Sequence, residues 1–317
     1  MKKFMITLGD LGGIGPDIAL KYAAKHGLHD AVIVADQAML IARAQHLGFG
    51  VTLVSDTCFK VADHLIHILP LSYPHEVKIG TPDLHYAAYN LAALERAVDG
   101  CLSGEYQGLL TGPINKALMN EAGIPFTGHT EWIAHRARVA KVVMMLLSGE
   151  RRVALCTTHL ALKAVPDAIT QDLINEIVTI THHDLKKYFS LVDPKIAVTG
   201  LNPHAGDEGH FGREEIDVIM PAIQALQQKR MQVSGPFAAD TLFQPLFWDQ
   251  YDAVVAMYHD QGLSPIKALH FGDTVNMTLG LPFIRVSVDH GTAYDKAGTH
   301  AADESSFAAA MSLLRSI

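Results

Sequence analysis

Short β-branched runs alternate with amphipathic stretches of helical period along the whole chain, and this alternation restricts the fold more than any other feature. Apolar runs at 4–8, 31–34, 51–54, 108–110, 142–147, 153–156, 196–201, 252–257 and 283–288 predict strands. Between them, the spacing predicts helices over about 16–25, 37–47, 84–102, 171–189 and 303–314. Strands interleaved with helices argue for an α/β fold. No low-complexity linker and no internal repeat interrupts the 317 residues. Any boundary between lobes is therefore crossed by ordinary elements, and two lobes sharing one sheet fit the length.

Composition narrows the function classes. A formal charge of −8 leaves no broad basic face, which argues against a nucleic-acid partner, so any anion must be held by local cations. No window reaches the roughly 18 apolar residues a membrane helix needs. The start of the chain is too short in apolar residues for a secretion signal. Three cysteines (Cys58, Cys101, Cys156) without CxxC spacing suit a reducing compartment, and Cys156 reads as a small core hydrophobe. A soluble cytoplasmic enzyme is expected.

Three histidines stand where predicted strands run out: His159 in Thr157-Thr158-His159, His204 in Asn202-Pro203-His204-Ala205-Gly206, and His259 in Tyr258-His259-Asp260-Gln261-Gly262. In open α/β sheets the carboxyl ends of the strands form the ligand crevice. Three imidazoles sharing that position read as a catalytic metal site, suited to zinc, cobalt or nickel more than magnesium. The plainer alternative for each is a backbone hydrogen bond at a strand end. Asp240 and Asp260 place carboxylates near the same ends, able to orient a ligand or accept a proton.

Gly9-Asp10-Leu11-Gly12-Gly13-Ile14-Gly15-Pro16 opens a helix after the first strand, so its amides can approach an anion. It lacks GxGxxG spacing, and a tight turn with Pro16 at the first helical position explains it equally well. Thr127-Gly128-His129-Thr130-Glu131 offers a hydroxyl, an imidazole and helix amides to a phosphate or carboxylate, with Thr130 as a plain N-cap the alternative. Asn115 and Lys116 have similar standing. Lys267, Asn276 and Arg285 follow at loop-like spacing. Lys267 and Arg285 lie among apolar residues, where an unpaired charge is costly, so an anionic substrate is expected there rather than a surface ion pair. The turn from Asp289 to Gly298 can present its groups to an adenosine.

Together these motifs resemble the 4-hydroxythreonine-4-phosphate dehydrogenases of vitamin B6 biosynthesis, over nearly the whole chain. The most specific stretches are 111–116, 126–131, 200–215 and 257–298, above all Met257-Tyr258-His259-Asp260-Gln261-Gly262 and Asp289-His290-Gly291-Thr292-Ala293. The resemblance implies a fold like isocitrate and isopropylmalate dehydrogenases: two α/β/α lobes sharing a continuous mixed sheet, with the active site in the cleft. Residues 1–317 would form one two-lobed catalytic unit whose lobes interleave in sequence. It implies metal ligands at His159, His204 and His259, and substrate contacts at His129, Thr130, Lys267, Asn276 and Arg285. Asp240, Asp260 and Lys267 are then the candidate proton acceptors. Gly291, Thr292, Asp295 and Gly298 would hold the adenosine of NAD or NADP.

The implied reaction oxidises the C3 hydroxyl of 4-phosphooxy-L-threonine, with hydride passing to the nicotinamide. A divalent metal, zinc before cobalt or magnesium, would polarise that oxygen. Loss of CO2 then leaves 3-amino-2-oxopropyl phosphate. The resemblance also implies a homodimer with a shared active site, so His259 could serve the neighbouring copy. Leu11, Gly12 and Asp17 depart from the family's Gly-Asp-Pro-Ala-Gly-Ile-Gly-Pro-Glu pattern, as do Tyr294 and Lys296 from its aliphatic residues. Those departures keep open the sister substrates 4-phospho-D-threonate and 4-phospho-D-erythronate. A metal-dependent phosphate-ester hydrolase and a non-catalytic metabolite binder are the competing classes.

Overall fold

The computed structural model describes residues 3–269 and 274–317. The chain forms two compact units, Met1–Ala140 with Leu281–Ser316, and Lys141–Gly280 with Ile317.

The first unit opens with β1 (Lys3–Thr7), α1 (Gly15–His26), β2 (Ala31–Ala35), α2 (Gln37–His46), β3 (Val51–Ser55), β4 (Cys58–Val61) and β5 (His64–Pro70). It continues through α3 (His85–Leu102), β6 (Tyr106–Thr111), α4 (Lys116–Glu121) and α5 (His129–Arg136). The second unit holds β7 (Val143–Ser148), β8 (Arg151–Leu155), α6 (Val165–Ala168), α7 (Gln171–Phe189), β9 (Lys195–Thr199), α8 (Met220–Gln228) and β10 (Gln232–Phe237). It ends with α9 (Ala239–Leu242), α10 (Pro245–Trp248), β11 (Ala253–Ala256), α11 (His259–Leu269) and β12 (Val275–Leu279). The chain then returns to the first unit with β13 (Ile284–Ser287) and α12 (Ser305–Ser316).

Within the first unit the strand order is β13-β6-β1-β2-β5-β4-β3, parallel from β13 to β5 and antiparallel beyond. Within the second it is β10-β9-β11-β8-β7-β12, parallel from β10 to β8 and antiparallel at β7 and β12. The fold is thus mixed α/β. The central strands β1, β2, β9 and β11 are almost wholly buried and continuously apolar, as strands covered on both faces must be. The core of the second unit gathers Leu146, Val153, Leu155, Ala197, Val254 and Trp248 under Leu263 and Ile266 of α11.

Sequence reading missed β4, β5, β10 and β12. Polar residues interrupt their apolar pattern (His64 and His67 in β5, Asn276 in β12), so the apolar-run criterion passes over them. Cys156 is buried, and burial pushes its thiol up to about 12, as suits a core hydrophobe. Among the described residues, no helix is long and apolar enough to cross a membrane.

The glycine-rich turn after β1 does not face outward toward an anion. A Cβ at Gly9, whose φ is +73°, would lie 2.0 Å from the Pro113 carbonyl oxygen, and one at Gly15 would lie 1.8 Å from that of Leu8. The glycines exist so that the turn can touch its own chain. Ile14 N–H donates to the Thr292 carbonyl at 2.9 Å, and Gly80 N–H to that of Gly12 at 2.8 Å. Beneath the turn, Arg43 of α2 and Asp17 of α1 form a buried ion pair at 2.8 Å. Arg43 also donates to the Leu11 carbonyl, while Gly298 N–H donates to the second oxygen of Asp17 at 2.9 Å. The pair therefore fastens the turn, α2 and the 289–298 segment together. Removing one member leaves a charge buried without its partner, which costs about 3–5 kcal/mol. Arg43→Met should lose that much unfolding free energy in urea titration, and Asp17→Asn combined with it should lose less than the sum of the two single changes.

Candidate functional site

The second unit carries the first cluster. Because β8 and β11 are parallel and paired through Leu155 and Ala256, their carboxyl ends leave the sheet side by side. Cys156 and Thr157 extend the pairing, with Thr157 N–H and hydroxyl both donating to the Met257 carbonyl. His159 and His259 follow directly, with ring centroids 6.0 Å apart. They line a cavity of about 460 Å³ with Thr158, Leu160, Tyr258 and Asp260. Asp260 Oδ1 lies 2.7 Å from His259 Nδ1. With Nδ1 donating to that carboxylate, Nε2 is left as the lone-pair nitrogen, the arrangement of a metal-ligating histidine with its carboxylate support.

His204 stands apart from this pair. It follows β9 on a turn from Pro203 to Gly209 in which five successive residues, His204 to Glu208, have φ between +43° and +82°. A left-handed turn containing four non-glycine residues costs on the order of 1–2 kcal/mol per residue and persists only where its surroundings impose it. Glu215, buried beside it, imposes it. Its Oε1 accepts from Leu201 N–H at 2.8 Å and Asn202 N–H at 2.7 Å, and its Oε2 from the Asn202 amide at 2.9 Å. Gln261 ties the same strand end to α11. Its amide donates to the Gly200 carbonyl, and its Oε1 accepts from the Thr199 hydroxyl and Met257 N–H. Neither Glu215 nor Gln261 was singled out in the sequence, although both lie inside its most distinctive stretches. A buried acid or amide serving backbone groups leaves no periodic signature.

Among the described residues, no three His, Cys, Asp or Glu are grouped closely enough to hold a metal ion. The structure brings together His159, His259 and Asp260, and leaves His204 exposed next to Phe211. Asp240 is exposed in α9, which packs against the left-handed turn, and its hydrogen-bond contact is the neighbouring Thr241 hydroxyl.

Lys267 and Asn276, expected at loop spacing, sit on regular elements instead, and Arg285 sits in the strand expected over 283–288. Lys267 is half-buried in the last turn of α11, Asn276 lies in β12 opposite Leu146, and Arg285 lies in β13 opposite Leu109. Asn276 Oδ1 is buried with no hydrogen-bond partner among the described residues. Such an atom costs about 1–3 kcal/mol unless a ligand satisfies it.

The second cluster belongs to the first unit. Arg285 is 3% exposed, donates to the Thr111 hydroxyl at 2.7 Å and lies 3.5 Å from that of Thr130. Burial lowers its pKa to about 10, which still leaves it cationic at neutral pH. His129 starts α5, and its Nε2 is buried without a partner among the described residues. Burial, then the nearby Arg285 and Lys116 charges, hold that imidazole well below the ordinary histidine range, so it is neutral. Thr130 does not cap the helix as expected; Gly128 occupies the cap position and no side chain caps it. Asn115 does cap α4, accepting from Leu118 N–H.

Of the expected adenosine segment, Gly291 faces open space, Asp295 is exposed, and Thr292 and Gly298 are pinned to the glycine-rich turn as described. Tyr294, where aliphatic residues were expected, donates its hydroxyl to the buried Asp10 carboxylate at 2.7 Å.

Comparison with known proteins places these clusters in context. Residues 28–314 match the family model described as pyridoxal phosphate biosynthetic protein PdxA. The chain is similar to the crystal structure of 4-hydroxythreonine-4-phosphate dehydrogenase from Klebsiella pneumoniae, with 34% identity over 99% of each chain and a TM-score of 0.87. An enzyme of the same name from Burkholderia phymatum shares 33% identity over 98% of this chain and 96% of its own, at TM-score 0.82. A terephthalate 1,2-cis-dihydrodiol dehydrogenase from Burkholderia xenovorans shares 27% over 99% and 98%, at 0.68.

The Glu215 contacts generate a test. Glu215→Ala removes three charge-assisted hydrogen bonds from the backbone and side chain that enter the left-handed turn. Unfolding free energy should fall by about 2–4 kcal/mol, and amide hydrogen exchange should accelerate over residues 201–209 ahead of the rest of the second unit.

Proposed function

As a member of the PdxA family of pyridoxal phosphate biosynthetic proteins, the chain is, we propose, a metal-dependent, NAD(P)-linked dehydrogenase of 4-phosphooxy-L-threonine. It oxidises the C3 hydroxyl, and the resulting β-keto acid loses CO2 to give 3-amino-2-oxopropyl phosphate. The observation that carries this reading is the His159–His259 pair on its cavity, with Asp260 fixing the ring orientation of His259.

The donor set suits a divalent metal, zinc before cobalt or magnesium, because imidazole nitrogens with a supporting carboxylate are its preferred ligands. His159 and His259 would hold it, and His204, which stands apart from this pair within the chain, would be the third ligand only in the shared dimeric site. Bound there, the metal supplies Lewis acidity that stabilises negative charge on the substrate oxygen. Of the three candidate proton acceptors, Asp240, Asp260 and Lys267, Asp260 lies 2.7 Å from His259 Nδ1 beside the proposed metal, so we assign it the C3 hydroxyl proton. Arg285, with His129 and Thr130, takes an anionic group of the substrate. Lys267 takes another, and the buried Asn276 oxygen accepts from a hydroxyl or ammonium group of the substrate. Gly291, Thr292, Asp295 and Gly298 would hold the adenosine of NAD or NADP, whose nicotinamide would supply the hydride acceptor for C3.

A shared homodimeric site is part of this reading. Leu160 and Leu162 beside His159, and Phe211 beside His204, are 48%, 67% and 54% exposed, apolar surface that a second copy would cover. A second substrate reading is favoured by Tyr294, whose bond to Asp10 adds a hydroxyl where the family has aliphatic residues. On that reading the substrate is 4-phospho-D-threonate or 4-phospho-D-erythronate, with the same chemistry.

His259→Ala should lower kcat for NADH formation by at least about 10³-fold and abolish stoichiometric metal binding measured by elemental analysis, while Tm stays within a few degrees. Full turnover in metal-stripped His259→Ala protein would overturn the metal role. Phosphate release without NAD would favour a hydrolase, and tight metal binding without turnover of any phospho-acid would favour a binder.

A further inference from the structure

The segment expected to carry the adenosine is shaped by a side chain outside that set, Tyr294. It opens a short 3-10 turn (Tyr294–Lys296) directly after Ala293, whose φ of +40° puts a non-glycine residue in the left-handed region. That conformation is disfavoured and persists only where its surroundings impose it. Two hydrogen bonds impose it, one on each side. The Thr292 carbonyl accepts from Ile14 N–H at 2.9 Å, and the Tyr294 hydroxyl donates to Asp10 Oδ2 at 2.7 Å. Further along, Gly298 N–H donates to Asp17, and Lys21 Nζ donates to the carbonyls of Thr299, His300 and Ala302.

Asp10 is a fixed acceptor. It is 1% exposed, its Oδ1 takes the Asn90 side-chain amide at 2.5 Å, and its Oδ2 also takes Asn115 N–H at 3.0 Å. Thus α3, the start of α4 and the 289–298 segment meet on one carboxylate, and all three groups donate to it. Asn115 is held a second time, since its side chain caps α4 through Leu118 N–H. Of the three donors, Tyr294 is the one that belongs to the 289–298 segment. We propose that Tyr294 is a positioning residue for the dinucleotide: its hydroxyl, latched on Asp10, holds Ala293 left-handed and so fixes Gly291, Thr292 and Asp295 before the cofactor arrives. A cradle already formed binds without being ordered, whereas one that samples several shapes binds in proportion to the fraction in the right one. Loss of the hydroxyl therefore weakens the cofactor and spares the phosphorylated substrate, whose assigned contacts lie on α5, α11, β12 and β13. This inference rests on the dehydrogenase reading for the identity of the cofactor.

The test uses the full-length protein and three readouts. Binding of NAD and NADP is followed by calorimetry without substrate, kcat and both KM values by formation of reduced nicotinamide, and the segment itself by amide hydrogen exchange. Tyr294→Phe keeps the ring and removes only the hydroxyl. It should weaken binding of the preferred nucleotide and raise its KM by about 5–20-fold, leaving kcat and the KM for 4-phosphooxy-L-threonine within about twofold. Exchange over residues 291–298 should accelerate in the same variant. Tyr22→Phe removes a comparable hydroxyl, bonded to Arg315 at 2.7 Å elsewhere in the first unit, and should leave nucleotide affinity unchanged. Unchanged nucleotide affinity in Tyr294→Phe overturns the assignment, as does equal weakening of nucleotide and phospho-acid, or equal weakening in Tyr22→Phe. Weaker nucleotide binding with unaltered exchange would make the hydroxyl a direct contact and overturn the positioning role. Failure of the unaltered protein to bind either nucleotide would instead overturn the dehydrogenase reading, and the cofactor role with it.

Discussion

The parallel pairing of β11 with β8 on one side and β9 on the other is the constraint on which the candidate chemistry depends. Three parallel neighbours must end at the same edge of the sheet, so whatever follows them is delivered to one region. His159 and His259 come three or four residues after their strands, too soon for the chain to diverge, and the two imidazoles meet. His204 comes five residues after β9, and the intervening segment enters a left-handed turn that the buried Glu215 enforces. Distance along the chain from the strand end thus separates the pair from the third histidine. Gln261 joins the ends of β9 and β11 through its side-chain amide and prevents that edge from opening.

The first unit solves a different problem, holding charged groups inside an apolar frame. Asp10, buried and desolvated so that its carboxyl is raised above the usual range, is held by hydrogen bonds from Tyr294, Asn115 and Asn90 rather than by a cation. Asp17 and Arg43 hold each other. Arg285 lies in β13 with hydroxyl neighbours and stays cationic. Helix backbones position Asp17 and Arg43 and a strand positions Arg285, which keeps the local geometry fixed when a charged ligand arrives. The glycine-rich turn belongs to this frame, since its close contacts are with residues 78–81, 113 and 292 of its own chain.

Much of this was legible in the sequence, for identifiable reasons. Continuously apolar runs revealed β1, β2, β8, β9 and β11, because buried parallel strands tolerate no polar face. The 3.6-residue spacing of α7 gave its limits, 171–189, as observed. The histidines drew attention by their place after strands, and two of the three do meet. What stayed hidden depends on contacts distant in sequence. Asn276 looked like a loop residue because a polar side chain within a strand breaks the apolar pattern, whereas Arg285 fell inside the strand expected at 283–288. Thr130 looked like a helix cap because its type suits one, yet Gly128 takes that place and leaves the Thr130 hydroxyl to face Arg285. The glycine-rich turn resembled an anion loop, and only the three-dimensional contacts show what fills it.

The most direct test of the account is absorbance at 340 nm on mixing the protein with NAD or NADP and 4-phosphooxy-L-threonine, with and without added divalent metal, and with 4-phospho-D-threonate in parallel. The account predicts metal-dependent growth of reduced nicotinamide with one of these phosphorylated hydroxy acids, accompanied by release of CO2 in equal amount. No reduced nicotinamide with either acid, in protein shown by direct assay to carry its metal, would contradict it.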